Sequence, residues 1–201
     1  MSEDTANTTR RNVADASRGL IRRALQPATR PITSTKFGPE SAVLLHMVTN
    51  EKPDIPVVWV DTGYNTRATQ LFADRLTSQL DLNLHIYRPL HHSWAEIPAL
   101  DDPAHGTFAH CVKLEPFQRA LAELQPDTWF SSIRREQTTH RARQQALSRG
   151  ANTYLKVSPL LEWTRAEMQG YMQEYGLPSE SDYFDPTKGE AKRECGLHLR
   201  F

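Results

Sequence analysis

Cysteine is nearly absent from this chain: Cys111 and Cys195 are the two in 201 residues. That excludes a disulfide framework, and it excludes a four-cysteine zinc or iron–sulfur site held by one chain. A cysteine that matters here matters as a thiol. Charge of one sign is also missing, because Lys plus Arg and Asp plus Glu both count 24. The overall balance therefore argues for neither a nucleic-acid nor a membrane partner, and any anion site must be local. No run approaches the roughly 18 apolar residues of a membrane span. The first thirty residues are polar, without the apolar core of a secretory signal. Together these absences predict a soluble, cytoplasmic protein, and the length fits one domain able to bury a core without staples.

What is present alternates. Residues 1–13 are rich in Thr, Asn and Arg and carry no period, so a mobile segment is expected there. Leu20, Ile21 and Leu25 fall at helical spacing between Asp15 and Gln26, before Pro27. Pro31 to Thr35 is expected as a strand leading into a turn at Gly38. Glu40 to Thr49, apolar almost all round, reads as a helix packed on a sheet, and Ile55 to Val60 as a buried strand. Ala68, Leu71, Phe72, Leu76 and Leu80 mark a helix, and Leu82, Leu84 and Ile86 alternate as in a half-buried strand. Leu90 to His110, with Pro98, Pro103, Gly106 and four histidines, reads as a long loop over the sheet edge. Further on, the spacing predicts a helix through Phe117, Ala120, Leu121 and Leu124 and a strand over Thr128 to Ile133. A polar helix over Glu136 to Ser148 ending at Gly150, and a strand over Tyr154 to Val157, follow. Thr164 and Glu167 form a capping-box pair before a helix that Gly176 stops. Strands alternating with helices point to an α/β fold with a mostly parallel sheet. The expected division is a mobile segment 1–13, an α/β domain 14–182 and a mobile tail 183–201.

Four clusters could carry chemistry. Ser34, Thr35, Lys36, Gly38 and Ser41 combine hydroxyls, a lysine and a turn glycine at a helix start. The backbone N–H groups of such a place suit phosphate or sulfate, though an ordinary capped turn fits the same residues. Asp61, Thr62 and Gly63 follow a strand and so lie at the carboxyl end of the sheet, where open α/β folds place ligands and also make plain turns. Arg134, Arg135, Gln137 and Arg141 put guanidinium groups after a strand, which suits bidentate recognition of oxyanions; a solvated helix face is the competing reading. Cys195 has Lys192, Arg193 and His198 for neighbours, cations that would lower its thiol pKa as a nucleophile requires. Cys111, beside Val112, Leu114 and Phe117, reads as structural, and the histidines show no metal-ligand spacing.

In order along the chain, these segments resemble the phosphoadenylyl-sulfate (PAPS) and adenylyl-sulfate (APS) reductase family. Ser34 to Val48 is similar to its Ser-Ser-Phe-Gly phosphate loop and following helix, and Val57 to Tyr64 to its Val-Asp-Thr-Gly-Tyr strand and turn. Lys113-Leu114-Glu115-Pro116 resembles the Lys-Val-Glu-Pro segment, and Trp129 to Arg141 the Trp-Phe-x-x-x-Arg-Arg-Glu-Gln-Ser-x-x-Arg motif. Lys192 to His198, Lys-Arg-Glu-Cys-Gly-Leu-His, matches the catalytic tail at nearly every position.

The resemblance covers roughly residues 15–201 and implies an adenine-nucleotide alpha-hydrolase-like (Rossmann-like) fold with helices on both faces of the sheet. It implies that the Cys195 thiolate attacks the sulfur of PAPS, leaving an S-sulfocysteine from which thioredoxin, or glutaredoxin, releases sulfite. Substrate contacts are implied for Ser34, Thr35, Lys36, Gly38, Ser41, Asp61, Thr62, Gly63, Arg134, Arg135, Gln137, Arg141, Lys192, Arg193 and His198. A homodimer, no bound cofactor and no metal are expected. APS-type members carry a Cys-Cys pair and a later Cys-x-x-Cys for an iron–sulfur cluster. Here only Cys111 stands near the first place, so the chain resembles the cluster-free type, which takes the 3′-phosphorylated nucleotide.

Three departures stand out. Lys36 occupies the phosphate loop, Thr66-Arg67-Ala68-Thr69 replaces Phe-Pro-Glu-Thr, and the stretch from Tyr183 to Lys192 lacks the longer Gly-Asp-x-His-Thr-Thr-Arg segment. They leave open an APS reductase or related sulfur-transfer enzyme, and a nucleotide-binding regulatory relative without turnover.

Overall fold

In the computed structural model the described residues are 3–90, 94, 96–150 and 154–188, with the backbone alone for 3–10. Lys192, Arg193, Cys195 and His198 lie outside them, as do His91 and His92. Six strands form one sheet: β1 (Pro31–Thr35), β2 (Pro56–Val60), β3 (Asn83–Tyr87), β4 (Thr128–Phe130), β5 (Leu147–Arg149) and β6 (Leu155–Val157). Their spatial order is β3-β2-β1-β4-β6-β5, every neighbouring pair parallel except β5 with β6. The helices are α1 (Glu3–Leu25), α2 (Ser41–Glu51), α3 (Arg67–Leu80), α4 (Ala104–Ala109), α5 (Glu115–Leu124), α6 (Thr139–Ala142) and α7 (Arg165–Glu174).

Strand periodicity distributes the core. Val57 and Trp59 of β2 face α1, α2, α3 and α7, while Val58 between them faces α5 with Ile32, Trp129 and Tyr154. Both faces are covered, which is why β2 and β4 read as continuous apolar runs. Helix α2 is buried over eight of its eleven residues because it lies under α1, α3 and α7 at once. Its Val43, Leu44, Leu45, Met47 and Val48 are buried, and side chains of this size contribute about 1.5–3 kcal/mol each. At α7 the Thr164 hydroxyl accepts from the Glu167 backbone N–H, and the Glu167 carboxylate accepts from the Thr164 backbone N–H. Gly176, at φ 60°, takes the left-handed turn after it.

Four expectations need correction. Helix α1 begins at Glu3, far upstream of Asp15, because no glycine or proline interrupts the polar stretch before Gly19. The loop expected over Leu90 to His110 holds α4, which passes through a π-helical turn (His110–Leu114) directly into α5. Glu136 to Ser148 is not one helix. A 3₁₀ turn (Arg135–Gln137) and the single turn of α6 are followed by β5, which pairs antiparallel to β6 as an edge strand. An edge strand needs a partner backbone more than an apolar face, so its sequence carries little signal. At the other edge, β3 does not alternate as expected: Leu84 is half-buried and Ile86 exposed, since no strand covers that side.

The tail also differs from expectation at its root. Asp185, Pro186 and Thr187 are buried against the body.

Candidate active site

The strand order reverses between β1 and β4, and a crevice opens there at the carboxyl ends of the strands. Ser34, Thr35 and Lys36 line it from β1, and Ser131, Ser132, Ile133, Gln137 and Arg141 from the β4 side. Lys113, Asp185 and Lys188 complete the wall.

Each side chain is held by its element. The Ser34 hydroxyl accepts from the indole N–H of Trp129 at 2.8 Å, and the Thr35 hydroxyl accepts from the backbone N–H of Phe37 at 3.1 Å. Phe37 sits at φ 49°, a left-handed conformation uncommon for a bulky residue. Its ring is fully buried and meets Trp59 edge-on at 5.0 Å, so core packing holds the bend that turns β1 into α2. Gly38 leaves room for Lys36: a Cβ there would lie 2.9 Å from the lysine stem. Ser41 opens α2, its N–H donating to the Gly38 carbonyl at 3.0 Å.

Cations dominate this crevice. The Lys36 ammonium lies 4.3 Å from the centre of the Tyr183 ring. The residue as a whole keeps much of its surface open, while its ammonium is closely surrounded by protein. That desolvation, followed by the charges of Lys188 and Lys113, pushes it down to about 8; Asp185 opposes the shift and Arg141 adds to it. The Lys113 ammonium donates to Asp185 at 2.5 Å, both side chains being nearly inaccessible. Burial would raise the Asp185 carboxyl. The Lys113 charge, its hydrogen bond and those from Thr187 outweigh that, and the group ends down at about 2. One carboxylate thus stands among four cationic side chains, an arrangement that favours bound anions.

The second cluster frames rather than lines the crevice. Asp61 is buried at the end of β2 and accepts from the Gly63 N–H at 3.2 Å, Asn65 at 2.7 Å and Arg88 Nε at 2.9 Å. The Thr62 hydroxyl accepts from the Tyr64 N–H, and Gly63 takes φ 82°. These residues shape a turn beside the site.

The arginines divide. Arg141 and Gln137 line the crevice, with the Arg141 guanidinium donating to the Gln137 carbonyl oxygen. Arg134 is buried between the carboxylates of Glu40 and Glu136. It ties the start of α2 to the end of β4. Arg135 reaches outward to Glu162 at 2.7 Å and to the Ala142 carbonyl at 2.6 Å, away from the crevice, because its neighbour takes the inward position. Neither of the two adjacent arginines is among the residues that line the crevice.

Residues 30–185 match the family model for the phosphoadenosine phosphosulfate reductase domain. The chain belongs to the phosphoadenosine phosphosulfate reductase family. This is a family of oxidoreductases, and among its curated members a phosphoadenosine 5′-phosphosulfate reductase of Xylella fastidiosa (strain M12) is 38% identical over 206 residues. That match covers 87% of this chain and 86% of the relative. The reductase of the same name from Synechocystis is 36% identical, covering 84% and 79%. Among solved structures, the phosphoadenylyl-sulfate (PAPS) reductase from Candida auris, in a phosphate complex, superposes with a TM-score of 0.71 at 20% identity and 89% coverage of both chains. An NH3-dependent NAD synthetase from Campylobacter jejuni superposes at 0.59 with 12% identity, covering 84% of this chain and 74% of its own. The fold is the adenine-nucleotide alpha-hydrolase-like one, with helices on both faces of a mostly parallel sheet.

Five polar residues that line the crevice were not assigned from the sequence: Lys113, Ser131, Ser132, Asp185 and Lys188. A signal existed for Lys113, a lysine between Val112 and Leu114 in an apolar stretch, which burial would force to find a carboxylate. Nothing local marked Asp185, whose partner is seventy-two residues away.

Proposed function

We propose that this chain reduces PAPS to sulfite and adenosine 3′,5′-bisphosphate, with Cys195 as nucleophile. The Cys195 thiolate attacks the sulfonyl sulfur and forms an S–S bond as the bond from sulfur to the phosphate oxygen breaks. The electron pair leaves with adenosine 3′,5′-bisphosphate. A dithiol of the thioredoxin or glutaredoxin class then attacks Cys195 Sγ, expels sulfite, and closes its own disulfide, restoring the cysteine; the two electrons come from that dithiol.

The observation that carries this reading is the collection of Lys36, Lys113, Arg141 and Lys188 in one crevice at the switch point. The oxyanions of a sulfonucleotide need such charges, and so does a thiolate approaching an anion. In this proposal Ser34, Thr35, Gly38 and Ser41 bound the phosphate loop. Asp61, Thr62 and Gly63 hold the turn against the nucleotide. Gln137 and Arg141 contact its oxyanions, and Lys192, Arg193 and His198 travel with the nucleophile. Arg134 and Arg135 support the loop from behind. A reducing cytoplasm would keep the two thiols free. A homodimer belongs to the same proposal and is measurable by light scattering.

Purified protein supplied with thioredoxin, its reductase and either PAPS or APS is expected to release sulfite from PAPS. Without the dithiol it should gain about 80 mass units on the tail peptide, the mass of SO₃, as covalent catalysis requires. Cys195→Ser should abolish both results. Absence of sulfite and of adduct with PAPS would end this reading, and sulfite from APS alone would move it to the unphosphorylated nucleotide.

A further inference from the structure

Lysine is scarce in this chain, six residues against eighteen arginines, and it is not spread evenly. Lys36, Lys113 and Lys188 all line the same crevice. Unlike arginine, a lysine can give up its proton and become a nucleophile.

The three are held differently. The Lys113 ammonium is committed to Asp185 at 2.5 Å, with both side chains nearly inaccessible. Lys188 stands on the crevice wall. Lys36, the residue by which the phosphate loop departs from the family pattern, is exposed, and its stem runs over Gly38, where a Cβ would lie 2.9 Å from it. Its ammonium stands 4.3 Å from the centre of the Tyr183 ring. A ring face favours the charged form, and so does Asp185. Desolvation and the like charges of Lys188, Lys113 and Arg141 oppose it and prevail, since the group is pushed down to about 8. At about pH 7.5 roughly a quarter of such an amine is uncharged, against roughly one part in a thousand of an ordinary lysine.

An uncharged amine among fixed cations combines two capacities. The cations draw in a phosphate dianion, and the amine attacks an electrophilic carbon that the phosphate carries. A mixed anhydride of a carboxylic acid and phosphoric acid supplies both parts in one small molecule.

We infer that Lys36 is a modification site for acyl phosphates, which dock their phosphate against Arg141 and Lys188 and transfer their acyl group to Lys36 Nζ. The amine attacks the acyl carbon and an N–C bond forms. The C–O bond to phosphorus-bound oxygen breaks, inorganic phosphate leaves with the electron pair, and the amine proton passes to water. Nothing is oxidised or reduced. The resulting amide is uncharged, so the crevice loses one of its four cations. The site itself stands on the crevice alone; its consequence for the nucleotide rests on the proposed function.

Acetyl phosphate is the probe, with acetylated peptides of the unaltered protein mapped by mass spectrometry over a range of pH. Lys36 should react about tenfold faster than Lys52, a surface lysine paired with Asp54. Its rate should rise with pH and level off above about 8. Inorganic phosphate and adenosine 3′,5′-bisphosphate should each protect Lys36 and leave Lys52 unaffected. Arg141→Ala should slow acetyl phosphate at Lys36 more than it slows the uncharged N-hydroxysuccinimidyl acetate, because only the first reagent uses an anion site. Lys188→Gln makes the same comparison if Arg141→Ala does not fold. Acetylation should lower the affinity for adenosine 3′,5′-bisphosphate about tenfold.

Equal rates at Lys36 and Lys52, acetylation of Lys188 in place of Lys36, or no protection by phosphate would overturn the inference. Protection by phosphate without protection by the bisphosphate would uphold the site and count against the proposed function instead.

Discussion

Trp129 donates its indole N–H to the hydroxyl of Ser34 at 2.8 Å, so the largest fully buried side chain of β4 fixes the rim of the crevice. The ring sits beside Phe117 at 5.0 Å and Tyr154 at 5.9 Å, which leaves it no freedom to follow a shifting loop. Core and site are one packing problem here.

Trp129→Phe is expected to cost about 2 kcal/mol, from the lost hydrogen bond and the space left behind. It should also weaken binding of adenosine 3′,5′-bisphosphate, because Ser34 loses its fixed orientation. Urea unfolding and calorimetric titration measure the two effects, and a variant of lowered stability with unchanged affinity would separate the core from the rim.

Lys36, pushed down to about 8 from an ordinary 10.5, binds its proton more weakly in the folded chain. Between those values the unfolded chain holds more protons, so this group makes stability rise with pH there. Anion binding runs the other way, since it needs the charged ammonium. Affinity for adenosine 3′,5′-bisphosphate should fall as pH rises through about 8, and Lys36→Arg should flatten the decline.

The linkage of Asp185 has the same sign but acts at acid pH. Its carboxyl lies at about 2, below the ordinary 3.8, so its contribution is present above 3.8 and lost as pH falls toward 2. The stability gap between the unaltered chain and Asp185→Asn should be full at pH 7 and shrink below pH 3.8. Urea midpoints at a series of pH values read that gap.

Glu40→Ala removes one of the two carboxylates that hold the buried Arg134 guanidinium. A loss of about 2 kcal/mol is expected, with faster hydrogen exchange over the first turn of α2. Unchanged exchange there would show that Arg134 does not hold the loop.

Thr164→Ala opens the capping box of α7, whose residues do not line the crevice. About 1 kcal/mol of stability should go, while the sulfite rate stays as it was. It serves as the control in which stability falls alone.

How much of this was legible depended on where the partner of each residue lay. The run Ser41 to Thr49 announced a buried helix because its apolar residues form one contiguous string, and Thr164 with Glu167 announced α7 because a capping box closes within one turn. Ser34, Lys36 and Arg141 could be placed near one another through strand ends and loop chemistry. β5 could not, since its pairing with β6 uses backbone groups that every residue owns. The inward turn of Arg134 and the outward turn of Arg135 follow from Glu40 and Glu162, neither adjacent in sequence. The stretch 182–185 was hidden for the same reason: Asp182, Tyr183 and Asp185 look like solvated loop until Thr66, Lys36 and Lys113 come up beside them.

The π-helical turn between α4 and α5 makes this part of the chain sensitive to length in a way composition does not reveal. Val112, Lys113 and Leu114 are consecutive and all buried, whereas an ordinary helix would carry three successive side chains through more than half a revolution. The wider turn accommodates one additional residue. Excision of any single codon from 110–114 would let the helix close to its regular pitch, leaving α4 and α5 in register but re-aiming the side chains of the turn itself. Lys113 would then leave the crevice without any residue type having changed, so this stretch should tolerate replacement far better than shortening.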